Sequence, residues 1–332
     1  MSEKKFLFKS LKNIVFLGAT PLFSDLIKIN KKFKIKSEVI SCRDQVKEFK
    51  LKKNIKTFDK LDNNFKNYII KKYNFKETLF ISMGARWIFK KELINNFFKN
   101  NLINFHHTRL PFEAGGAGDS WKVMRNDRID TQIAHIVEEE IDSGPILMDK
   151  SFLIPTKLIL PSEIVDFRSK NFLNFYANFI TKIRKNYKFK LKFQPNYIGR
   201  YNPRLNTKLN GWIDWSVDPM SLLNFINAFG NPYAGASTLI NKKRVNIKNV
   251  QLHGGEMINH PFSTGLITRH DKKWLVVATA GTFSLIIEKV IDKNKKNILN
   301  SLKVGDRFFT PQKFLDSSKE KRIIYNFKGL KI

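Results

Sequence analysis

The segment NIVFLGATPLFSDLIKI, residues 13–29, sets the class of the fold. Ile14 to Leu17 form a short apolar, β-prone run that stops at Gly18, and TPLFSDLIKI then carries helical spacing, so the segment reads as strand, turn and helix. Two further apolar runs, SEVISCRD (37–44) and TLFISMG (78–84), are separated by helix-compatible segments. Such alternation predicts a parallel sheet covered by helices. LINF (102–105), IAHIV (133–137) and PILMDKSFLI (145–154) predict three more strands. From Pro161 to Tyr187, apolar residues at Ile164, Phe167, Phe172, Phe175, Phe179 and Ile183 share one helical face, and this helix closes the first unit.

Downstream the pattern changes. Between about Phe189 and Leu209 the sequence is broken by Gln, Pro, Asn, Gly and Arg, the composition of a linker. Asp218 then caps a short helix with Pro219 in its first turn and Gly230 and Pro232 past its end. GASTLI, RVNIKNVQL, STGLITRH, WLVVATA and TFSLIIEKV follow, short strands with Gly turns that suggest a small barrel. The expected organisation is residues 1–188 as an α/β catalytic domain, 189–209 as a linker and 210–332 as a β-barrel domain.

Composition excludes several classes. Of the 332 residues, 42% are hydrophobic and spread along the whole length, which argues against extended disorder. The single cysteine, Cys42, cannot form an intramolecular disulfide, and no Cys or His cluster stands at metal-ligand spacing, so neither a disulfide framework nor a metal is expected. The basic, apolar opening MSEKKFLFKSLKNIVFLGATPLF is interrupted by Lys12 and Asn13 and lacks a small-x-small cleavage site. No run approaches the roughly twenty apolar residues of a membrane span. A cytoplasmic protein without membrane association is the expectation. The net charge of +31, from 60 Lys plus Arg against 29 Asp plus Glu, raises a nucleic-acid partner. The excess is mostly Lys and dispersed, which reads as a solvated surface, since phosphate binding needs charge concentrated on one face.

The chemistry-bearing residues follow the LINF strand. Asn104 and His106 are two apart and point to one face of a strand, where an amide donor and an imidazole suit acyl transfer. A Gly-rich stretch, Gly115 to Gly118, lies just beyond and admits a ligand to the backbone. Asp142, in the turn EIDSGPIL, is a carboxylate able to favour a protonated imidazole. Alternation turns His107 to the other face. His135, inside an apolar strand, reads as a structural histidine, and His253, His260 and His270 have no identifiable partner. Arg109, Trp121 and Lys122 are candidates for holding a diphosphate and stacking a base.

The ordered segments NIVFLGATPLF, ISMGARWIFKKELI, NFHHTRLP, HIVEEEIDSGPIL, YNPRLNTKLNGWIDW and FGNPYAGASTL together resemble the folate-dependent formyltransferase family, which includes methionyl-tRNA formyltransferase, glycinamide ribonucleotide transformylase and sugar N-formyltransferases. The resemblance covers almost the whole chain. It implies a Rossmann-like first domain, an OB-like barrel after it, and transfer of a formyl group from 10-formyltetrahydrofolate to an amine without a metal. Carried over residue by residue, Asn104, His106 and Asp142 match the catalytic three. Arg86, Trp87 and Ile88 match positions whose backbone holds the pterin, and Val137, Glu138, Glu139 and Glu140 match the second folate loop. The tRNA enzymes carry a basic loop after the motif proline, whereas FEAGGAGDSW follows Pro111 here. That departure, with Gly144-Pro145 and FGNPYAGA, is similar to the sugar enzymes and makes a nucleotide-linked amino sugar the expected acceptor, with tRNA as the alternative. A homodimer, and a non-catalytic binding module of the same fold, are also compatible with the resemblance.

Overall fold

A computed structural model describes residues 4–48, 55–99, 101–116, 118–195, 199–254, 258–326 and 329–331. Ala117, within the Gly-rich stretch, and residues 196–198, within the expected linker, lie outside the described residues.

Seven strands form the first sheet: β1 (Asn13–Gly18), β2 (Lys36–Ser41), β3 (Lys56–Thr57), β4 (Thr78–Met83), β5 (Leu102–His106), β6 (Ile129–Ile136) and β7 (Ile146–Leu153), in the order β3-β2-β1-β4-β5-β6-β7. The first five run parallel, as the strand-helix alternation predicts. β6 and β7 each run antiparallel to the preceding strand, so the sheet is mixed at the edge that carries the chemistry. Helices α1 (Phe23–Lys32) and α5 (Pro161–Arg184) cover one face. There Phe16, Phe105, Phe172, Phe175, Tyr176 and Phe179 are buried together with many tilted and edge-on ring contacts, a geometry favoured over flat stacking. Tyr176 donates to Asn30 Oδ1 at 2.8 Å, and Asn30 Nδ2 donates to Ser37 Oγ at 2.9 Å. That chain satisfies polar groups on α1, α5 and β2 where water is excluded.

The other face is covered by α2 (Arg43–Glu48) and α3 (Asn63–Lys72), the latter capped by Asp62, which accepts from the Asn64 and Phe65 amides. Its core joins Val15, Leu17, Phe65, Phe80, Trp87 and Phe98.

The second sheet is antiparallel: β8 (Ala236–Ile240), β9 (Lys243–His253), β10 (Ile267–His270), β11 (Leu275–Ala278), β12 (Ser284–Ile291) and β13 (Phe308–Phe309), in the order β10-β11-β12-β9-β8-β13. It curls into a half-barrel whose edge strands approach at an isolated bridge between Leu266 and Arg307. The expected barrel is thus open rather than fully laddered. Short α4 (Gly118–Met124) packs on α6 (Pro219–Ala228), which Asp218 caps as expected by accepting from the Met220 and Ser221 amides. Ser120 donates to Ala228 O at 2.8 Å, and Val123, Ile154, Ile164 and Ala228 form a small shared core.

The stretch after α5 takes part in the first sheet's surroundings. Phe189–Lys190 pairs antiparallel with Lys5–Phe6, and Tyr201–Asn202 pairs parallel with Ala114–Gly115. Among the described residues, no helix is long and apolar enough to cross a membrane.

Gly18 and Gly84 fix how the loops at the ends of β1 and β4 interlock. Gly18 has φ +125°, and a Cβ there would lie 2.2 Å from Met83 O; one on Gly84, at φ +60°, would lie 2.6 Å from Ala19 O. Gly18→Ala is expected to destabilise the fold by ~2 kcal/mol or more, from steric overlap plus an unfavourable backbone conformation. Urea unfolding measures this as a lowered midpoint with unchanged slope.

Candidate active site

β5 places Asn104 and His106 on one face, and its antiparallel pairing with β6 sets Asn104 directly opposite His135. Asn104 Nδ2 lies 3.1 Å from His135 Nε2, while His135 Nδ1 lies 2.9 Å from Ile136 O. A carbonyl can only accept, so Nδ1 carries the proton and Nε2 receives one Asn104 N–H. Burial keeps His135 neutral, its pKa pushed down to about 4 against the opposing pull of Asp142. His135 is therefore hydrogen-bonded, as expected of a buried histidine. It also orients Asn104, a role that needs the cross-strand register to be seen.

After β6 the chain turns back through Gly144, where a Cβ would lie 1.8 Å from Ile136 O, and brings Asp142 over the same face. Asp142 Oδ1 is 3.4 Å from His106 Nδ1, an ion pair at the outer edge of hydrogen-bonding distance, and 3.8 Å from His135 Nε2. Burial alone would raise the Asp142 pKa and lower that of His106. The attraction between them wins in both: Asp142 is held at about 2, helped by the Gly115 backbone N–H, and His106 is raised above its ordinary value. His106, His135 and Asp142 could also converge on a divalent ion, but only if His135 released the Asn104 amide.

The pair has a defined pH signature. The stability from raised His106 is fully present below the unfolded imidazole value and fades as pH rises through its folded pKa. That from Asp142 is present above the unfolded carboxyl value and fades as pH falls towards about 2. The pair contributes fully between about pH 4 and pH 6.5. NMR titration is expected to place His106 above its ordinary value, and Asp142→Asn to move it down, because burial then loses its main opponent.

His107 is exposed, its ring centroid 5.5 Å from that of His106, and among the described residues it stands outside the cluster of His106, His135 and Asp142. The expected folate positions lie on two loops beside the cluster. Arg86, nearly buried, is ion-paired to Asp44 of α2, Trp87 is buried in the second core, and Ile88 is 73% exposed. Val137 packs against the same core as Trp87, its N–H bonded to Leu102 O at 3.0 Å, while Glu138, Glu139 and Glu140 are exposed and Glu139 faces Lys91 at 3.7 Å. The main-chain groups of Trp87 and Ile88 pair with no other main-chain group among the described residues.

Arg109, Trp121 and Lys122 are differently employed from the expectation. Lys122 is 2% exposed and donates to Ile129 O at 2.8 Å, with Glu113, Asp127 and Asp130 within 3.8 Å. Arg109 bonds Glu113 and Asp127, Arg125 bonds Glu113 at 2.9 Å, and Trp121 Nε1 donates to Pro203 O at 2.9 Å. Behind them Arg168, nearly buried, bridges Asp119 and Asp130. These cations neutralise buried carboxylates, whose charge would otherwise be costly.

A family model described as "Formyl transferase, C-terminal domain" matches residues 206–302. The methionyl-tRNA formyltransferase of Fusobacterium nucleatum subsp. nucleatum is 26% identical over 319 residues, covering 89% of this chain and 99% of the relative. These matches support a folate-dependent formyltransferase family for the chain. The methionyl-tRNA formyltransferase of Prochlorococcus marinus (strain MIT 9312) is 25% identical over 254 residues, 74% of this formyltransferase and 75% of the relative. Among solved structures, the sugar 3N-formyl transferase WlaRD, crystallised with dTDP and 5-N-formyl-THF, shares the fold at TM-score 0.62 and 20% identity, covering 86% of this formyltransferase and 99% of that chain. The N-formyltransferase from Helicobacter canadensis, solved with folinic acid and dTDP-3-aminofucose, superposes at TM-score 0.61 with 17% identity, covering 84% and 99%.

Proposed function

We propose that this enzyme moves a formyl group from 10-formyltetrahydrofolate to the amine of a nucleotide-linked sugar, with Asn104, His106 and Asp142 as its catalytic residues. The single observation that carries the chemistry is the His106–Asp142 ion pair beside an amide whose orientation His135 fixes. The bound folate supplies the formyl group. The loops at Arg86, Trp87 and Ile88 and at Val137 to Glu140 fit such a group, because Trp87 and Ile88 pair with no other main-chain group among the described residues. As a neutral amine attacks, the free N–H of Asn104 and the protonated His106 meet the negative charge developing on the formyl oxygen. Asp142 keeps His106 protonated and relays the amine's proton through water to the folate nitrogen, whose bond to the formyl carbon breaks as the new carbon–nitrogen bond is completed.

Support for a small acceptor comes from the loop after Pro111. The cations in and around it, Arg109, Lys122 and Arg125, are paired with Glu113 and Asp127, so that region presents little uncompensated positive charge to a polyanion. Two solved relatives of the same fold are described with dTDP or a dTDP-linked amino sugar. The sequence relatives favour the second reading, methionyl-tRNA, and the +31 charge is compatible with it. In both readings residues 1–188 hold the folate and the chemistry, and the half-barrel serves the acceptor or association, with the protein working in the cytoplasm. The test is to supply 10-formyltetrahydrofolate with a panel of nucleotide-linked amino sugars beside charged initiator tRNA. Formylation of a sugar but not of the tRNA is expected, and the reverse result would replace the sugar by tRNA.

A further inference from the structure

The Asp142 turn is held from outside the segment that forms it. Asp142 adopts a left-handed conformation, φ +59°, which costs a non-glycine residue ~1 kcal/mol. Glu140 and Ile141 beside it are exposed, so packing contributes little to fixing the turn. Its local hydrogen bonds run from Ser143 to Glu140 O. Besides the carboxylate's own contacts with His106 and the Gly115 N–H, the turn's main chain is held by the Gln194 side chain, whose Nε2 donates to Asp142 O at 2.8 Å and to Gly144 O at 2.7 Å. One amide therefore spans both carbonyls that flank Ser143. Gln194 is itself anchored: Ile146 and Lys192 exchange N–H···O bonds of 2.9 and 3.0 Å, and further on Gly199 N donates to Pro111 O at 3.2 Å. The chain leaving α5 thus runs past the Asp142 turn towards the loop that follows His106.

We infer that Gln194 is a positioning residue for formyl transfer, clamping the Asp142 turn so that the carboxylate stays against His106. This rests on the reading of Asp142 and His106 as catalytic. It means that the segment joining the two sheets completes the active site rather than merely spacing them. The carboxylate loses its grip on the imidazole if the turn relaxes, since at 3.4 Å the pair has no slack. The charged and titratable groups that act on His106 are Asp142, Arg168, Asp130, His107 and His135, so a drift of Asp142 leaves only Asp130, already bound to Arg168, as a carboxylate acting on the imidazole among the described residues.

The test compares full-length Gln194→Met, which keeps length but loses both donors, and Gln194→Glu, which sets a carboxylate against two carbonyl oxygens. Asp142→Asn is measured in parallel. The readouts are kcat, KM for the formyl donor, the pH dependence of kcat and the thermal midpoint. Gln194→Met is expected to lower kcat ~10 to 100-fold with little change in KM, the range associated with small displacements of a reacting group. Its alkaline limb should move to lower pH, in the direction produced by Asp142→Asn, and Gln194→Glu should lose more. A Gln194→Met enzyme with wild-type kcat, beside an impaired Asp142→Asn, overturns the inference alone. So does a fall in kcat and thermal midpoint with an unmoved alkaline limb, which marks a structural role only. An unimpaired Asp142→Asn overturns the inference and the catalytic reading together.

Discussion

Asn104→Ala, His106→Ala and Asp142→Ala are each expected to lower turnover by ~100-fold or more, the size of effect found when one donor to a developing oxyanion is removed. Each side chain acts mainly as charge builds on the formyl oxygen, so the loss should fall on kcat, with KM for the formyl donor moving little. The losses should also be non-additive. His106 depends on Asp142 for its proton, and the double variant His106→Ala/Asp142→Ala should resemble the worse single variant. His107→Ala should retain most activity, because its ring stands outside the His106–His135–Asp142 cluster. His135→Ala should fall between, since it releases the Asn104 amide without removing it. Steady-state kinetics on the six variants separate these cases, and an inactive His107→Ala beside an active His106→Ala would exchange their roles.

The second large effect concerns salt. An RNA acceptor gripped by many Lys and Arg releases counterions, and its affinity falls ~1,000-fold or more between low and moderate salt. A nucleotide-linked sugar carries only two phosphates, and its KM should change by less than ~10-fold over the same range. The shallow dependence is expected despite a net charge of +31, because Arg109, Lys122 and Arg125, in the stretch that follows His106, are already paired with Glu113 and Asp127. A steep slope with efficient formylation of methionyl-tRNA would move the acceptor to RNA and leave the fold unaffected.

How far the sequence reveals this arrangement depends on the range of the interaction concerned. β1, β4 and β5 are apolar runs bounded by polar residues or glycine, and α5 carries its buried face in a regular period, so local pattern suffices for them. Side-chain alternation is the same for either strand direction, and the antiparallel setting of β6 and β7 is therefore not written in IAHIV or PILMDKSFLI. That setting is what puts His135 opposite Asn104. Arg109 and Lys122 look like ligand contacts when read singly, yet the acidic partners Glu113 and Asp127 stand within the same stretch and were the available signal of an internal network. Gln194 gave none. Its contact with the Asp142 turn crosses 52 residues of chain, and a segment rich in Gln, Pro and Asn reads as a spacer until its partners are located.

The measurement that bears most directly on the central claim is a single-turnover reaction of the full-length enzyme with isotopically labelled 10-formyltetrahydrofolate and an amine acceptor, followed by mass spectrometry, alongside the Asp142→Asn enzyme. Wild type is expected to gain labelled N-formyl product with stoichiometric loss of label from the folate, at a rate that falls as pH rises through the raised pKa of His106. Asp142→Asn should bind the folate with comparable affinity yet transfer ~100-fold more slowly, with its alkaline limb at lower pH. Equal transfer rates for the two enzymes, with coincident pH profiles, would contradict the assignment of the His106–Asp142 pair as the centre of the chemistry.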